Sequence, residues 1–550
     1  MNSIPERESL TVEFKSDRHC LSDRDLIESV VCMANGQGGE IYLGIEDDGQ
    51  VTGLHANHRQ IDGLAALIAN RTHPGVIVTV ATLRVGGHDV AQISVPKSGQ
   101  PVATSDGMVK RRRLQANGQP ECVPFLPHEF ASRAASFGLT DNSALPVAGA
   151  SPDDLDALER GRLRQFIERY NGDRALLELD DTQLDAALGL VTRTPDGYAP
   201  TLTGLLLIGK EKALRQTVPN HEIAFQVMDG EEVRLNEFMR LPLLSAIERV
   251  ETLLKPLNTE HEFQSGLFRV PVPRIDARAF REALANAVTH RDYFSRGAVH
   301  IRLDGDEMTL SNPGGFVEGV TLDNLLSTEP HPRNPALADA LKRIGLVERT
   351  GRGVDLIYRG MLRYGRSQPD YSRSSLYSVV LRLSLADADQ QFLKVVLAEE
   401  ARLGGRMPID SLIILDALRE GRRLKTDELA EAVQKDAART RASVEILVET
   451  GLVQAHGTGR GRSYTLSPHL YDLQGKRAEY IRQAGFNKLQ SEQLVKNFIQ
   501  QHGRITRGEV MTLCSMTKIQ AYRLLKKMSE EKYIEKHGDR KSSYYVRGAL

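Results

Sequence analysis

Arg281-Glu282-Ala283-Leu284-Ala285-Asn286-Ala287-Val288-Thr289-His290-Arg291-Asp292-Tyr293 is the stretch on which the reading of this chain turns. Glu282, Asn286 and His290 recur at intervals of four, the spacing that stacks side chains on one face of a helix. Residues 277–293 are therefore expected to be helical. Two further blocks follow. Strands expected at Val299–Leu303 and Met308–Ser311 run into Ser311-Asn312-Pro313-Gly314-Gly315-Phe316. After another helical stretch comes Glu348-Arg349-Thr350-Gly351-Arg352-Gly353-Val354. Glycine lets backbone approach a ligand closely, and a helix N-terminus after such a loop favours an anion.

Taken in order, these blocks resemble the N box, the D-x-G-x-G box and the Gly-rich phosphate loop of GHKL ATPases. The resemblance, to the divergent form found in RecG-related and ATP-binding transcriptional regulators, implies an α/β sandwich that binds ATP with Mg²⁺. By that match Asn286 holds the metal and Glu282 is the general base. His290 lies near the phosphates or supports the helix, and Gly314, Gly351 and Gly353 belong to the nucleotide-binding turns. Asn312 stands where the family has its adenine-reading Asp, and an amide accepts the adenine amino proton less well.

Upstream, strands are expected near Leu202–Ile208 and Glu222–Met228, with a long amphipathic helix over about Asn236–Leu257. The run Gly204 to Lys210 fits G-x4-G-K, but Glu211 replaces the Ser or Thr that ligates Mg²⁺ in a P-loop. Its wholly apolar interior suits a buried strand better, so a helicase motor is not expected.

The N-terminal part carries three more blocks: Glu8-Ser9-Leu10-Thr11-Val12-Glu13-Phe14-Lys15, Ala34-Asn35-Gly36-Gln37-Gly38-Gly39 and Gly44-Ile45-Glu46-Asp47-Asp48-Gly49. They resemble the Schlafen/AlbA-like DNA-binding domain. In nuclease members of the Schlafen family three acidic residues hold a divalent cation. The resemblance carries that role to Glu8, Glu13 and Asp47, with Glu46 as the alternative third acid. Hard Mg²⁺ or Mn²⁺ prefers such oxygens and activates water, and Lys15 would neutralise phosphate. Glu8 and Glu13 face opposite ways on a straight strand, so the chain must bend between them for this site to form. The run Lys110-Arg111-Arg112-Arg113 reads as a nucleic-acid contact, because adjacent cations repel unless an anion relieves them.

From about Pro408 the pattern shifts to short helices and glycine-tipped hairpins, given twice: helices at 411–420, 426–433 and 437–450 with a hairpin over 452–466, then 492–502, 506–514 and 517–531 with a hairpin over 533–546. Three helices and a basic wing are the winged helix-turn-helix layout. Nucleic-acid candidates are Arg439, Arg441, Arg460 and Arg462 in the first copy. In the second they are Lys518, Gln520, Arg523, Lys526, Lys527, Arg540 and Lys541. Residues 491–550 hold 12 Lys and Arg against 6 Asp and Glu, a balance of +6 hidden in a whole-chain charge of −1.

The expected class is thus α+β multidomain: a Schlafen/AlbA-like module over 1–137, a GHKL-like region over 151–395, winged helices over 405–467 and 491–550, and a linker over 468–490. The four cysteines are scattered without zinc spacing and are expected to be reduced thiols. A polar N-terminus and the lack of a long apolar run point to a soluble, cytoplasmic chain without membrane contact. The expected function is a nucleotide-responsive regulator that binds nucleic acid, DNA before RNA, as a homo-oligomer, in transcription control or defence. The rival is a metal-dependent nuclease acting on RNA, tRNA or single-stranded DNA, as in antiviral defence. Weak ATPase activity belongs with either.

Overall fold

The computed structural model describes residues 4–61, 63–115, 118–195, 197–265, 268–347, 353–421, 423–457, 461–467, 492, 495–496, 498–500, 503–513, 518–537 and 544–548. They build a mixed α/β, multidomain structure with several separate sheets.

The first sheet has four strands in the order Val12–Lys15, Gly39–Leu43, His88–Val95, Thr79–Val85. Its first pair is parallel and the others antiparallel. A parallel pair needs a crossover, which is the helix Asp23–Ala34, capped by Ser22 accepting from the Asp25 N–H. That helix buries Leu26, Val30, Val31 and Met33 against Ile41, Ile93 and Val95. The strand Gly39–Leu43 opens on a glycine at φ +136°, where any β-carbon would overlap the backbone of Thr11.

A hairpin of Lys110–Leu114 and Pro120–Pro124 packs beside the crossover helix. There the expectation of reduced thiols fails for one pair. Cys32 on the helix and Cys122 on the hairpin form a disulfide with Cα atoms 6.0 Å apart, within bridging range. Their 90-residue separation gives no sequence pattern to read. Cys20 is free, and Cys514 lies outside the described residues.

The middle sheet runs Glu232–Met239, Ile223–Asp229, Val299–Asp304, Glu307–Pro313, Ser378–Ser384. Helices Ala157–Arg169, Leu202–Ile208, Leu243–Leu254, Ala277–Thr289 and Pro335–Ile344 share one core with it. Two expectations are corrected here. Leu202–Ile208 is a helix, not a strand, buried along its whole length with Thr201 capping Gly204. An apolar run this short has no period that separates buried helix from buried strand. Its burial leaves no room for a phosphate, so the G-x4-G-K match is no P-loop. The expected helix over 236–257 is instead the end of strand Glu232–Met239 followed by a helix that starts after Pro242. Proline suits the start of a helix and not its interior.

The C-terminal part holds two units of one layout. Helices Ile409–Gly421, Thr426–Val433 and Ala437–Glu449 accompany a three-stranded sheet with Ser463–Leu466 between Leu424–Lys425 and Val453–His456. Helices Arg507–Leu513 and Lys518–Glu530 accompany Tyr544–Arg547 between Ile505–Thr506 and Ile534–His537. In both, the last strand in the chain is the central one. The 468–490 segment lies outside the described residues. Among the described residues no helix is long and apolar enough to cross a membrane.

One helix belongs to two cores. On Gly353–Leu362, Ile357 and Met361 pack into the middle core, while Tyr358 and Leu362 pack into the core of the first C-terminal unit.

Candidate nucleotide-binding site

Asp276 caps the helix Ala277–Thr289 by accepting from the Arg278 and Ala279 N–H groups. Its apolar face sinks into the middle core, which fixes the direction of the polar stripe. Glu282, Asn286 and His290 line one cavity of about 980 Å³, together with Asn312, Phe316, Tyr371 and Gly353. Apolar walls come from Leu310, Val379 and Leu381 on the sheet and from Val317 and Val320 on the loop after it. Apolar walls with a few convergent polar groups are the usual make-up of a small-molecule site.

Glu282 is 4 % exposed. His290 ends the helix, its N–H donating to the Asn286 carbonyl. Burial first, and the Arg333 charge second, push its imidazole down to about 4, so it enters the cavity neutral. Burial raises the Tyr371 phenol far above its ordinary value, helped by Tyr358 and Glu282. Asn312 Nδ2 donates to the Pro313 and Gly314 carbonyls at 3.1 and 3.4 Å. Two acceptors fix the orientation of its amide. Gly314 does not line the cavity. It turns at φ +91° and donates to the Tyr377 carbonyl. Gly351, with the rest of 348–352, lies outside the described residues.

A second feature was not anticipated from Pro332-Arg333-Asn334-Pro335, although paired prolines at a helix start mark a fixed turn. Arg333, 4 % exposed, donates to the carbonyls of His290 (3.2 Å), Gly315 (3.0 Å) and Ser132 (3.2 Å), and to Ser136 Oγ. Asn334 Nδ2 holds the Thr289 and Arg291 carbonyls at 2.9 and 2.8 Å. Ser132 Oγ also donates to Asp292 at 2.6 Å. Ser132 and Ser136 lie on Pro127–Ser136, the helix that follows the basic hairpin. One guanidinium therefore ties the end of the polar helix, the Asn312–Gly315 turn and the N-terminal part.

Glu13 pairs with Arg112, on which the Glu8 charge also acts, but among the described residues Glu8, Glu13 and Asp47 form no three-acid group placed to hold a metal. Glu13 pairs with Lys15 at 2.6 Å and with the buried Arg112. Arg112 also holds the carbonyls of Ser9 and Val12 at 2.9 Å. Glu8 accepts from the Phe14 N–H at 2.9 Å, and Asp47 is exposed in its turn. Glu46, the alternative, is taken by Ser16, Thr52 and Arg18. Among the described residues no group of three His, Cys, Asp or Glu side chains is placed to hold a metal. A guanidinium occupies the position a cation was expected to take.

The basic run carries internal ion pairs. Lys110 pairs with Glu28, Arg111 with Glu129, Arg112 with Glu13 and Arg113 with Glu121. Internal carboxylates share in relieving the repulsion, and the Arg113 side chain stays half-exposed.

Of the C-terminal candidates, Arg441 and Arg523 are exposed. Lys526 faces Glu530 at 3.8 Å, and Lys527 is drawn to Glu492 and Glu531. Arg439 pairs with Asp436, and Arg462 with Glu445. Gln520 is exposed on the same helix, and Lys518 opens it. Arg460, Arg540 and Lys541 lie outside the described residues.

Comparison with known proteins places these modules. Residues 8–119 match the Schlafen AlbA_2 family model. Residues 297–382 match the model described as ATP-dependent DNA helicase recG C-terminal, and residues 131–224 match a domain of unknown function, DUF8451. The chain thus carries a Schlafen AlbA_2 domain followed by a recG-C-terminal-type domain. Among solved structures, the crystal structure of the DIP2311 protein from Corynebacterium diphtheriae shares the fold. It is 23 % identical, with 98 % of this chain and 95 % of that one covered and a TM-score of 0.52. The N-terminal domain of an ATP-dependent DNA helicase RecG-related protein from Nitrosomonas europaea matches at 26 % identity over 16 % of this chain and 65 % of that one, with a TM-score of 0.14. No curated protein matches.

Proposed function

We propose that this chain is a nucleotide-responsive, nucleic-acid-binding regulator with ATP and Mg²⁺ as its ligands and DNA as its target. The observation that carries the reading is the convergence of Glu282, Asn286, His290, Asn312 and Gly353 on one cavity.

The residues present fit the ligands. The apolar walls would take the adenine, and Asn312 would be the residue to read its amino group. Magnesium would keep much of its shell as water and phosphate oxygen, and Asn286 is the residue that would hold it through its amide oxygen. Glu282 is the group able to take a proton from water during any slow hydrolysis. Neutral His290 holds the helix end and adds no charge. Gly353, at the start of its helix, would offer backbone N–H groups to the phosphates.

Two contacts lead out of the pocket, one toward the first C-terminal unit and one toward the N-terminal part. Gly353–Leu362 is shared with the core of the first C-terminal unit. Arg333 links the pocket to Pro127–Ser136. We read the two C-terminal units as winged helices, with Arg523 and Lys526 of the second facing DNA, and the working form as a homo-oligomer.

The test is the affinity of the full chain for duplex DNA with and without a non-hydrolysable ATP analogue and Mg²⁺. The expected result is a change of about tenfold, about 1.4 kcal/mol of coupling. Tight nucleotide binding with no effect on DNA would remove the switch, and no nucleotide binding would remove the site.

A further inference from the structure

A second cluster lies in the N-terminal part, away from the nucleotide cavity. Asp17 is fully buried. Its Oδ1 accepts from the Leu21 N–H (2.9 Å) and from His58 Nδ1 (2.8 Å), and its Oδ2 from the His55 N–H (2.7 Å). In the tautomer that carries its proton on Nδ1 and donates it to this carboxylate, Nε2 presents its lone pair. Nε2 faces Cys20 Sγ at 3.8 Å, and Asn57 Nδ2 lies 3.8 Å from the same sulfur. Cys20 is free and partly exposed. Its φ of +60° is a conformation that non-glycine residues rarely adopt. A nucleophile, a base within reach of it and a buried group orienting the base make up the general plan of an activated nucleophile.

A polar staple between the 16–22 loop and the Ala56–His58 turn would need Asp17 and the two histidines. It would not need a thiol in left-handed backbone with two polar groups directed at its sulfur. We propose that Cys20 is a reactive thiol, activated by His58 and oriented through Asp17, that accepts small disulfides and becomes S-thiolated.

The step balances as thiol–disulfide exchange. His58 Nε2 takes the Cys20 proton, and the sulfur attacks one sulfur of a small disulfide RSSR. The bond from Cys20 to that sulfur forms as the original S–S bond breaks. The departing thiolate takes the proton from the imidazolium and leaves as RSH. The disulfide is the oxidant and the released thiol the reduced product. Asn57 donates toward the charge that builds on Cys20. Both polar groups face the attacking sulfur, which suits an electrophile that needs only a thiolate and access.

The test uses the full chain carrying Cys514→Ser with the Cys32–Cys122 bond intact, treated with oxidised glutathione or dithiobis(nitrobenzoate). Mixed disulfide should map to the peptide containing Cys20. It should form about tenfold or more faster in the native chain than in the same chain in denaturant at the same pH, in line with general-base assistance. H58Q should lose that advantage, together with an inflection in the rate–pH profile of the parent. A native rate at or below the denatured rate overturns the proposal without recourse to any variant. So does a folded H58Q with the parent's rate and profile.

Discussion

Gly353 lies so close to Glu282 that a β-carbon there would overlap Oε1 and stand 2.6 Å from Cδ. The same helix approaches the polar helix again at Gly360, where a β-carbon would come 2.5 Å from that of Ala279. The two helices are in contact because both positions lack side chains.

Gly353→Ala should therefore displace the Glu282 carboxylate, because the obstruction is the end of a rotatable side chain. Affinity for a fluorescent ATP analogue should fall about tenfold or more, with a melting temperature within about 3 °C of the parent, since the change costs little of the core. Unchanged affinity would place Glu282 outside the ligand's reach.

Arg112 and Glu13 make the opposite kind of prediction. Both are buried, and burial pulls the Arg112 guanidinium down. Removing Arg112 leaves the buried Glu13 with the partly exposed Lys15 alone, which costs up to about 3–5 kcal/mol. Arg112→Met should lower stability by that order in urea unfolding, whereas Arg113→Met, half-exposed beside Glu121, should change it by under about 1 kcal/mol. Equal effects would show that the four adjacent cations are interchangeable.

This contrast marks how much was legible in the sequence. The period-four stripe of Glu282, Asn286 and His290 was readable because one helix carries it. The strands flanking Asn312 were readable for a similar local reason. The pairs of Lys110–Arg113 went unread because Glu28 and Glu13 lie 82 and 99 residues from their partners, and Glu121 and Glu129, 8 and 18 residues away, carry no shared pattern with them. Cys32 and Cys122 were hidden in the same way. Leu202–Ile208 failed for another reason, since full burial erases the amphipathic signal that separates helix from strand. Arg333 went unread because its acceptors are mainly backbone carbonyls, which leave no trace in residue identity.

His221 gives a pH dependence with a definite sign. Its imidazole is 2 % exposed, Nε2–H donates to the Leu241 carbonyl at 2.8 Å, and Nδ1 has no partner among the described residues. Burial pushes its pKa down from 6.5 to about 4. Between those values the unfolded chain binds a proton that the folded chain refuses. Stability is thus full above pH 6.5 and falls as the pH drops toward about 4. At pH 5 the loss from this group is about 2 kcal/mol, at 1.36 kcal/mol per unit. His221→Gln keeps a donor for Leu241 and should flatten that part of the urea-midpoint profile between pH 7 and 5. A profile as steep as the parent's would assign the loss to other groups, His290 among them.

Arg333 offers the sharpest test of coupling, because it is not among the residues lining the cavity yet holds His290, Gly315, Ser132 and Ser136 at once. Lysine cannot reproduce a planar fork with several fixed N–H directions, so Arg333→Lys keeps the charge and loses most of the tie. ATP-analogue affinity should stay within about threefold of the parent, because the residues that wall the pocket are untouched. The change in DNA affinity on adding nucleotide should shrink by about half or more of its free energy, because one of the two routes out of the pocket is cut. Amide exchange in Pro127–Ser136 should quicken at the same time as the helix loses its anchor. Faster exchange with undiminished nucleotide response would assign all of the coupling to Gly353–Leu362. Undisturbed exchange would mean that Ser132–Asp292 alone suffices to hold the N-terminal helix in place.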